Sequence, residues 1–374
     1  PKVVDREETG YSAEWRVAGV PRAGAEEVSR TGGSPAYGGT PSDESVRAAI
    51  AEIRGRGIGV TLYPFIMMDV PPGNTLPDPY SDAGSQPVYP WRGRVTCAPG
   101  PHMPGSADKT ANARVQIEAF CGHAASSDFA TGGGVVSYSG AEDDWGYRRF
   151  VLHYAALAAS AGGVDAFLIG SELRGATTLR DEAGAYPFVE QLCALAEEVR
   201  ELLGGDAKIT YAADWTEYFG HQPGDGSGDV HFHLDPLWAH PDIDAVGIDC
   251  YMPLSDWRDD DHFAPNPDAA WGPYDPDALR GGIVEGEGYD WFYASPEDRA
   301  GRLRTPITDG SYGKPWVYRY KDLVNWWSNR HHNRPGGVES STPTAWVPMS
   351  KPIWLTELGC PAVDRGPNQP NVFP

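Results

Sequence analysis

The sequence Phe167-Leu-Ile-Gly-Ser-Glu-Leu173 is an apolar run typical of a buried strand, and it ends in the glutamate Glu172. A second run of this kind, Ile353-Trp-Leu-Thr-Glu-Leu-Gly359, carries Glu357 at the same place. Parallel α/β folds place their functional side chains at the carboxyl ends of strands. Two carboxylates from strands far apart in sequence are the groups that cleave a glycosidic bond. Glu172 and Glu357 are therefore the candidate catalytic residues. The alternative is that each glutamate caps or salt-bridges a strand–helix junction.

Helix and strand patterns alternate outward from these two runs. Helical spacing of apolar residues predicts helices that we place after a Ser42 cap up to Gly55, at Tyr147 to Ala161, and at Pro187 to Leu203. Apolar runs predict further strands at residues 59–65, 208–215, 245–251 and 352–356. This alternation predicts an α/β fold with a parallel sheet, of the (β/α)8 TIM-barrel-like kind.

The number of predicted strands is smaller than a closed barrel requires. About six are visible if the short run Trp15 to Gly19 is included, and a closed barrel has eight. Few residues follow Glu357. Either the barrel is incomplete in this sequence, or its first and last units lie outside it.

Two long stretches interrupt the alternation, at residues 71–140 and 255–350. The first is rich in Pro, Gly, Ser and Asp, and the second contains many tryptophans and a predicted helix from Tyr318 to His332. Loops of this length are functional or disordered, and their aromatic content favours order. We predict one domain over residues 1–374, with these two insertions as walls around a cleft.

The composition excludes several classes of function. Lys and Arg number 30 against 52 Asp and Glu, giving a net charge of −22. Nucleic acid and anionic membrane surfaces need a basic footprint, so neither is expected as a partner. No apolar stretch reaches the roughly 20 residues of a membrane span. The sequence begins without Met or a signal-peptide pattern, which suggests a piece of a longer polypeptide.

The five cysteines form no CxxC pair and are odd in number, so neither a zinc site nor a disulfide framework is predicted. Cys193, Cys250 and Cys360 lie in or beside apolar runs and are predicted to be buried thiols. Cys97 and Cys121 fall in one loop-rich region, where a bridge between them is an open alternative.

Other polar and aromatic residues at the strand ends are candidates for substrate binding. These are Tyr63, Ser171, Asp214, Trp215, Glu217, Asp249 and Tyr251. Tyr251 is a candidate donor to the nucleophile, and Trp215 is a candidate platform for a sugar ring. For each of them, an ordinary role in the core is the alternative.

Two other kinds of chemistry have weaker signals. His231-Phe-His233 with Asp229 and Asp235 resembles a metal cluster, because an H-x-H pair places both imidazoles on one face of a strand. No third ligand follows at a diagnostic spacing, so no metal is assigned. Ser171 is not in a G-x-S-x-G turn, so serine hydrolysis is not supported.

Four segments resemble a known family. They are Phe167 to Arg174, Ile209-Thr-Tyr-Ala-Ala-Asp-Trp-Thr-Glu-Tyr218, Ala245-Val-Gly-Ile-Asp-Cys-Tyr-Met-Pro-Leu254 and Trp354-Leu-Thr-Glu-Leu-Gly-Cys-Pro361. The family is the glycoside hydrolase, TIM-barrel-like domain of the large tail-tip protein of gene transfer agents and related phages of alphaproteobacteria. The resemblance covers nearly the whole chain.

The resemblance implies a fold and a mechanism like those of clan A retaining glycosidases, with the acid/base on strand four and the nucleophile on strand seven. With Trp15 to Gly19 as strand two, Glu172 falls on strand four and Glu357 on strand seven. Strands one and eight would then lie outside this sequence. Clan A usually has an Asn before the acid/base, and Ser171 stands in that position here.

The leading hypothesis is a tail-tip glycosidase domain that acts at the host cell envelope on peptidoglycan or a surface glycan. Glu172 would be the acid/base, Glu357 the nucleophile, and no cofactor is expected. Partners would be the polysaccharide and other phage-like tail proteins, and the parent protein is a candidate oligomer. The rivals are a catalytically silent sugar-binding module and a structural spacer of the tail.

Overall fold

The computed structural model describes residues 1–6, 14–133, 135–262, 268 and 270–372 of the chain. The chain divides into two compact units. The first comprises Pro1–Ala212 with Pro236–Val246, and the second comprises Ala213–Asp235 with Gly247–Pro374. Two strands have residues in both units, so this division does not decide the domain organisation. A single domain with two insertions stays a prediction.

Five strands form the parallel sheet that the alternating pattern predicts. They are β1 (Thr61–Leu62), β2 (Ala166–Ser171), β3 (Lys208–Asp214), β4 (Val246–Cys250) and β5 (Ile353–Leu358). Their order in the sheet is their order along the chain, and β2 pairs in parallel with both β1 and β3. The fold is α/β and TIM-barrel-like, and the described residues supply only part of a barrel.

The helices lie between and around these strands. They are α1 (Asp43–Gly55), α2 (Ala111–Cys121), α3 (Tyr147–Ser160), α4 (Arg174–Thr177), α5 (Pro187–Leu203), α6 (Asp235–Trp238), α7 (Pro276–Gly281), α8 (Pro296–Gly301) and α9 (Leu323–Ser328). Short 3-10 turns occur at Arg22–Gly24, Arg92–Arg94, Ser126–Asp128, Asp259–His262, Pro315–Tyr318, Pro335–Gly337 and Gly366–Asn368. No described helix is both long and apolar enough to cross a membrane.

The three helices predicted from apolar spacing are confirmed as α1, α3 and α5. Their residue signals at the ends and their buried faces agree with one another. The Ser42 side chain accepts a hydrogen bond from the Ser45 amide at 3.1 Å and so caps α1. Pro187 is the first residue of α5, and Gly204 follows its last residue with φ of 78°. In the first unit, α3 contacts α1, α2 and α5 and is buried over most of its surface.

Pairs of short strands lie outside the parallel sheet. One pair is parallel, Lys2–Val3 with Glu26–Glu27. The antiparallel pairs are Arg16–Val17 with Val20–Pro21, Arg30–Thr31 with Ser34–Pro35, Phe129–Gly132 with Val135–Tyr138, and Trp291–Phe292 with Thr305–Pro306.

The prediction that Trp15 to Gly19 forms a barrel strand is wrong. Ala18 and Gly19 have φ of 50° and 83°, and they turn the chain back on itself so that Arg16–Val17 pairs with Val20–Pro21. Positive φ at two successive residues is the geometry of a tight hairpin turn. The strand that precedes β2 in the sheet is β1. Two strands, β3 and β4, lie between β2 and β5.

The predicted helix from Tyr318 to His332 is mostly wrong, because only Leu323–Ser328 is α-helical. The chain leaves the helix to bury His331 completely. There, His331 Nδ1 lies 2.9 Å from Asp235 Oδ2, and the His331 ring stacks on Phe232 at 4.2 Å between ring centroids. These contacts of the second unit override the local helical pattern.

The last strand, β5, also differs from the prediction. It includes Glu357 rather than ending before it, and it is not fully buried, since Leu355 and Leu358 are 46% and 72% exposed. It has this exposure because it is the last strand of the described sheet and has one neighbour, β4.

Two predictions about loops and cysteines also need correction. The stretch 71–140 is not all loop, because it contains α2 and the strand Phe129–Gly132 of a hairpin.

All five cysteines are free thiols, so Cys97 and Cys121 form no bridge. Both are buried, whereas Cys360, predicted to be buried, is exposed.

Gly170 in β2 is required by close packing. A Cβ at this position would lie 2.2 Å from the hydroxyl of Tyr147, which is held in place by a 2.7 Å hydrogen bond to the Ile169 carbonyl. We expect Gly170→Ala to lower the free energy of unfolding by about 2–3 kcal/mol because the core is overpacked. Denaturant unfolding of the purified protein measures this change.

Tyr147→Phe, which removes the clashing oxygen, should restore part of that loss in the double variant. Gly205→Ala is the control, since a Cβ there meets nothing within 4 Å, and it should change stability by less than about 0.5 kcal/mol. Equal losses from Gly170→Ala and Gly205→Ala would contradict this account of the β2 packing.

Candidate functional site

The backbone at the end of β2 is irregular in a way that sets the direction of Glu172. The pairing of β2 with β3 shifts register between Leu168 and Ser171, so β2 contains a bulge. Glu172 then has φ of 50°, a left-handed conformation that costs free energy in a residue with a side chain. Its amide donates to the Ala212 carbonyl at 2.8 Å, which fixes the turn.

The next residue ties this turn to the core of the first unit. The Leu173 amide donates to the Tyr211 hydroxyl at 2.7 Å, and Tyr211 is completely buried. A strained residue held by neighbours on both sides is typical of functional sites. The sequence predicted a glutamate at a strand end, and the structure adds a strained, fixed backbone under it.

The Glu172 carboxylate is buried, at 6% exposure, against two residues from the stretch 71–140. Trp91 Nε1 donates to Glu172 Oε2 at 2.6 Å, and an Arg92 guanidinium nitrogen lies 3.0 Å from the same oxygen. Burial disfavours the charged carboxylate, whereas the arginine and the indole donor favour it. The site therefore places two opposing influences on the ionisation of Glu172.

Arg92 also joins Glu172 to two of the predicted substrate-binding residues. Its guanidinium donates to Ser171 Oγ at 2.7 and 3.1 Å, and the Tyr63 hydroxyl donates to the same oxygen at 2.6 Å. The Arg92 guanidinium lies over the Phe65 ring at 4.8 Å from its centroid. The first unit thus brings Tyr63, Ser171 and Glu172 into one hydrogen-bonded cluster.

The second candidate carboxylate, Glu357, has a different environment in the second unit. The Tyr251 hydroxyl donates to Glu357 Oε2 at 2.7 Å, and both residues are partly exposed. The sequence predicted this contact, and it lies between residues of β5 and the end of β4.

Asp249 lies on β4 and is completely buried. Thr356 on the neighbouring strand donates its hydroxyl to Asp249 Oδ1 at 2.7 Å. Thr356 and Glu357 are successive residues of β5, so this hydrogen bond fixes the strand that carries Glu357. The second unit therefore brings Asp249, Tyr251 and Glu357 to neighbouring positions on two strands.

The predicted residues after β3 form a compact turn. The Glu217 carboxylate, 1% exposed, accepts from the Asp214 amide at 3.0 Å, and Asp214 accepts from the Thr216 amide at 2.8 Å. Trp215 is 9% exposed and packs edge-on against Tyr320 at 4.7 Å between ring centroids. The role of these three residues in substrate binding stays a prediction.

The H-x-H pair does not form the metal site that its pattern resembles. His231 Nε2 lies 3.5 Å from Asp229 Oδ2, and Asp235 is engaged with His331 instead. In the described part of the chain, neither His231 nor His233 belongs to a group of three or more possible metal ligands.

Three residues of these sites were missed in the sequence: Trp91, Arg92 and Thr356. Trp91 and Arg92 lie in a stretch rich in Pro and Gly with no periodic pattern, so nothing places them near a strand end. The sequence signal that could have identified them is an aromatic and a basic residue side by side in a long insertion. Thr356 directly precedes Glu357, and its partner on the next strand is not encoded locally.

The profile of a family described as the GTA TIM-barrel-like domain matches residues 145–374. No curated protein matches the chain. Two solved structures of a GH113 β-1,4-mannanase, one of them a complex, are similar at 16% identity. Their TM-scores are 0.29 and 0.30, with 58% and 59% of this chain and 45% and 47% of those chains covered. The chain therefore spans about half the length of the mannanase chains that it matches.

The pairing of Arg92 with Glu172 can be measured by a double-mutant cycle. Arg92→Met leaves a buried carboxylate without its cation, so we expect a loss of about 3 kcal/mol in unfolding free energy. Glu172→Gln in the same protein should recover part of that loss, giving a coupling energy of about 1–3 kcal/mol. Additive effects of the two substitutions would contradict an energetic contact between these side chains.

Proposed function

Because the chain belongs to the GTA TIM-barrel-like domain family, we propose that it is a retaining glycoside hydrolase domain acting on a bacterial envelope polysaccharide. One observation carries the proposal. Two carboxylates, Glu172 and Glu357, lie at the carboxyl ends of strands in a TIM-barrel-like sheet, and each accepts a hydrogen bond from a neighbouring aromatic side chain. This end of the strands is where enzymes with such sheets place their catalytic groups.

Glu357 is the proposed nucleophile. The Tyr251 hydroxyl donates to its carboxylate at 2.7 Å and so helps to hold the side chain in place. A Glu357 oxygen would attack the anomeric carbon and form a covalent glycosyl-enzyme, while the bond to the leaving oxygen breaks. The partial exposure of Glu357 is compatible with access by a sugar.

Glu172 is the proposed acid/base. It would give its proton to the leaving oxygen and later take one from the water that releases the sugar. Burial supports a protonated Glu172, and Arg92 opposes it. Substrate that displaces Arg92 from the carboxylate would shift this balance toward the acid. A retaining mechanism also requires the two carboxyl groups to be about 5–5.5 Å apart.

The biological setting is part of the proposal. GTA denotes gene transfer agents, and we infer that the domain is part of a tail-tip protein of a phage-like particle. In that setting the domain would be made in the cytoplasm and would act at the host envelope, on peptidoglycan or a surface glycan. Its partners would then be the polysaccharide and other tail proteins, and the reaction as written uses no cofactor.

A second candidate function is a catalytically silent carbohydrate-binding module of the tail tip. The ion pair between Arg92 and Glu172 favours it, because a carboxylate held by arginine is a poor acid. Activity separates the two candidates, since the module would bind glycan without releasing reducing ends.

The direct test of the enzyme is Glu357→Gln. We expect release of reducing sugar from alphaproteobacterial sacculi and surface glycan to fall by roughly 10³-fold or more, because the nucleophile is lost. Binding to the same polysaccharide, measured by cosedimentation, should stay near that of the unsubstituted protein.

Glu118→Gln, at an exposed position of α2, is the control and should leave turnover unchanged. Turnover that survives Glu357→Gln ends the proposed mechanism. Glycan binding without any turnover in the unsubstituted protein supports the silent module, and neither binding nor turnover supports a structural spacer.

Tyr251→Phe tests the hydrogen bond that supports the nucleophile. A hydrogen bond to a charged group is worth about 1.5–3 kcal/mol, so kcat should fall roughly 10–100-fold with a smaller change in KM. Steady-state kinetics on soluble glycan fragments measures both constants. A Tyr251→Phe protein with unchanged kcat would contradict the assigned role of this hydroxyl.

A further inference from the structure

A pocket lies within the second unit and is lined by none of the candidate catalytic residues. Its volume is about 650 Å³, and the residues that line it lie within 253–257, at Asp268, within 270–291 and at Lys321. That volume is in the range of pockets that hold small organic ligands. None of the residues that line this pocket takes part in the proposed hydrolysis.

The most unusual residue of the pocket is Trp271, whose side chain is 95% exposed. Its backbone is nevertheless held, because the Trp271 amide donates to Asp275 Oδ2 at 2.9 Å. Asp275 also caps α7 by accepting from the Asp277 amide. A large indole presented to solvent on an anchored backbone is a typical platform for a flat apolar face.

The walls of the pocket are aromatic and polar. Trp257 and Trp291 line it and are buried, at 5% and 9% exposure. Seven carboxylates also line it: Asp256, Asp268, Asp275, Asp277, Glu285, Glu287 and Asp290. The pocket therefore combines indole surface with many hydrogen-bond acceptors.

Arginines already balance several of these carboxylates. Arg304 lies 2.9 Å from both Asp256 and Asp268, and Arg299 pairs with Glu287. A cationic ligand therefore gains little from them, and the remaining negative charge opposes an acidic ligand. Carboxylate oxygens still accept hydrogen bonds from neutral hydroxyl groups.

Lys321 supplies a donor among these acceptors. It is 3% exposed, and its ammonium donates to the Gly282 and Glu285 carbonyls at 2.8 and 3.0 Å. An ammonium has three N–H donors, so these two contacts leave one more. Burial lowers the pKa of Lys321 to about 8, which leaves the group charged at neutral pH.

We propose that this pocket binds a neutral saccharide, with Trp271 stacked on one face of a pyranose and the carboxylates accepting its hydroxyl hydrogens. Neither Glu172 nor Glu357 lines this pocket, so the proposed binding does not involve the proposed catalytic pair. This inference stands on the pocket alone and does not require the proposed hydrolysis.

The test uses the full chain and three neutral probes, namely cellohexaose, chitohexaose and maltohexaose, with hexagalacturonate as the acidic probe. Titration calorimetry measures affinity, and acrylamide quenching of tryptophan fluorescence reports protection of the indole. We expect at least one neutral hexaose to bind at millimolar concentration or below and to protect tryptophan. Trp271→Ala should weaken that binding at least tenfold.

Trp145→Ala is the matched control, because Trp145 is also exposed, at 51%, and lies in the first unit. It should bind as the unsubstituted protein does. Absence of binding by all neutral probes, equal loss in both variants, or equally tight binding of hexagalacturonate would each overturn the proposal.

Two further variants separate this inference from the proposed hydrolysis. Glu357→Gln should retain the saccharide affinity of the Trp271 pocket, and Trp271→Ala should retain release of reducing ends from soluble fragments. Loss of saccharide affinity in Glu357→Gln would mean that the binding belongs to the catalytic carboxylates, and would overturn the separate site.

Discussion

The strained turn at the end of β2 is the constraint that sets the direction of the Glu172 side chain in the first unit. Glu172 has a left-handed backbone, fixed by hydrogen bonds that involve Ala212 and Tyr211, and its carboxylate is thereby directed at Trp91 and Arg92. A capping glutamate needs none of this strain, whereas a functional side chain commonly stores it. The bulge in β2 lies directly before this turn.

The two candidate carboxylates have different surroundings. Glu357 is partly exposed and accepts a hydrogen bond from the Tyr251 hydroxyl. Glu172 is buried and has Arg92 beside it. Burial disfavours the charged carboxylate, whereas the arginine favours it. The proposed catalytic cycle depends on how substrate changes that balance.

The sequence predicted the features that local pattern encodes. The apolar period and caps of α1, α3 and α5 gave these helices, and the runs before Glu172 and Glu357 gave the strands β2 and β5. The contact of Tyr251 with Glu357 was also predictable, because both lie at strand ends.

The contacts of Trp91 and Arg92 were not predictable, since the sequence of an aperiodic loop does not indicate where the loop packs. The helix expected through His331 failed because burial against Asp235 and Phe232 outweighs local propensity, and the hairpin at Ala18 and Gly19 replaced an expected barrel strand.

The most direct test of the central claim is the distance between the carboxyl carbons of Glu172 and Glu357 in a crystal structure of the protein. Retaining hydrolysis by this pair predicts a separation of about 5–5.5 Å, with open space between the two groups for one sugar ring. A separation above about 10 Å, outside both hydrolytic geometries, would contradict the assignment of these residues as a catalytic pair.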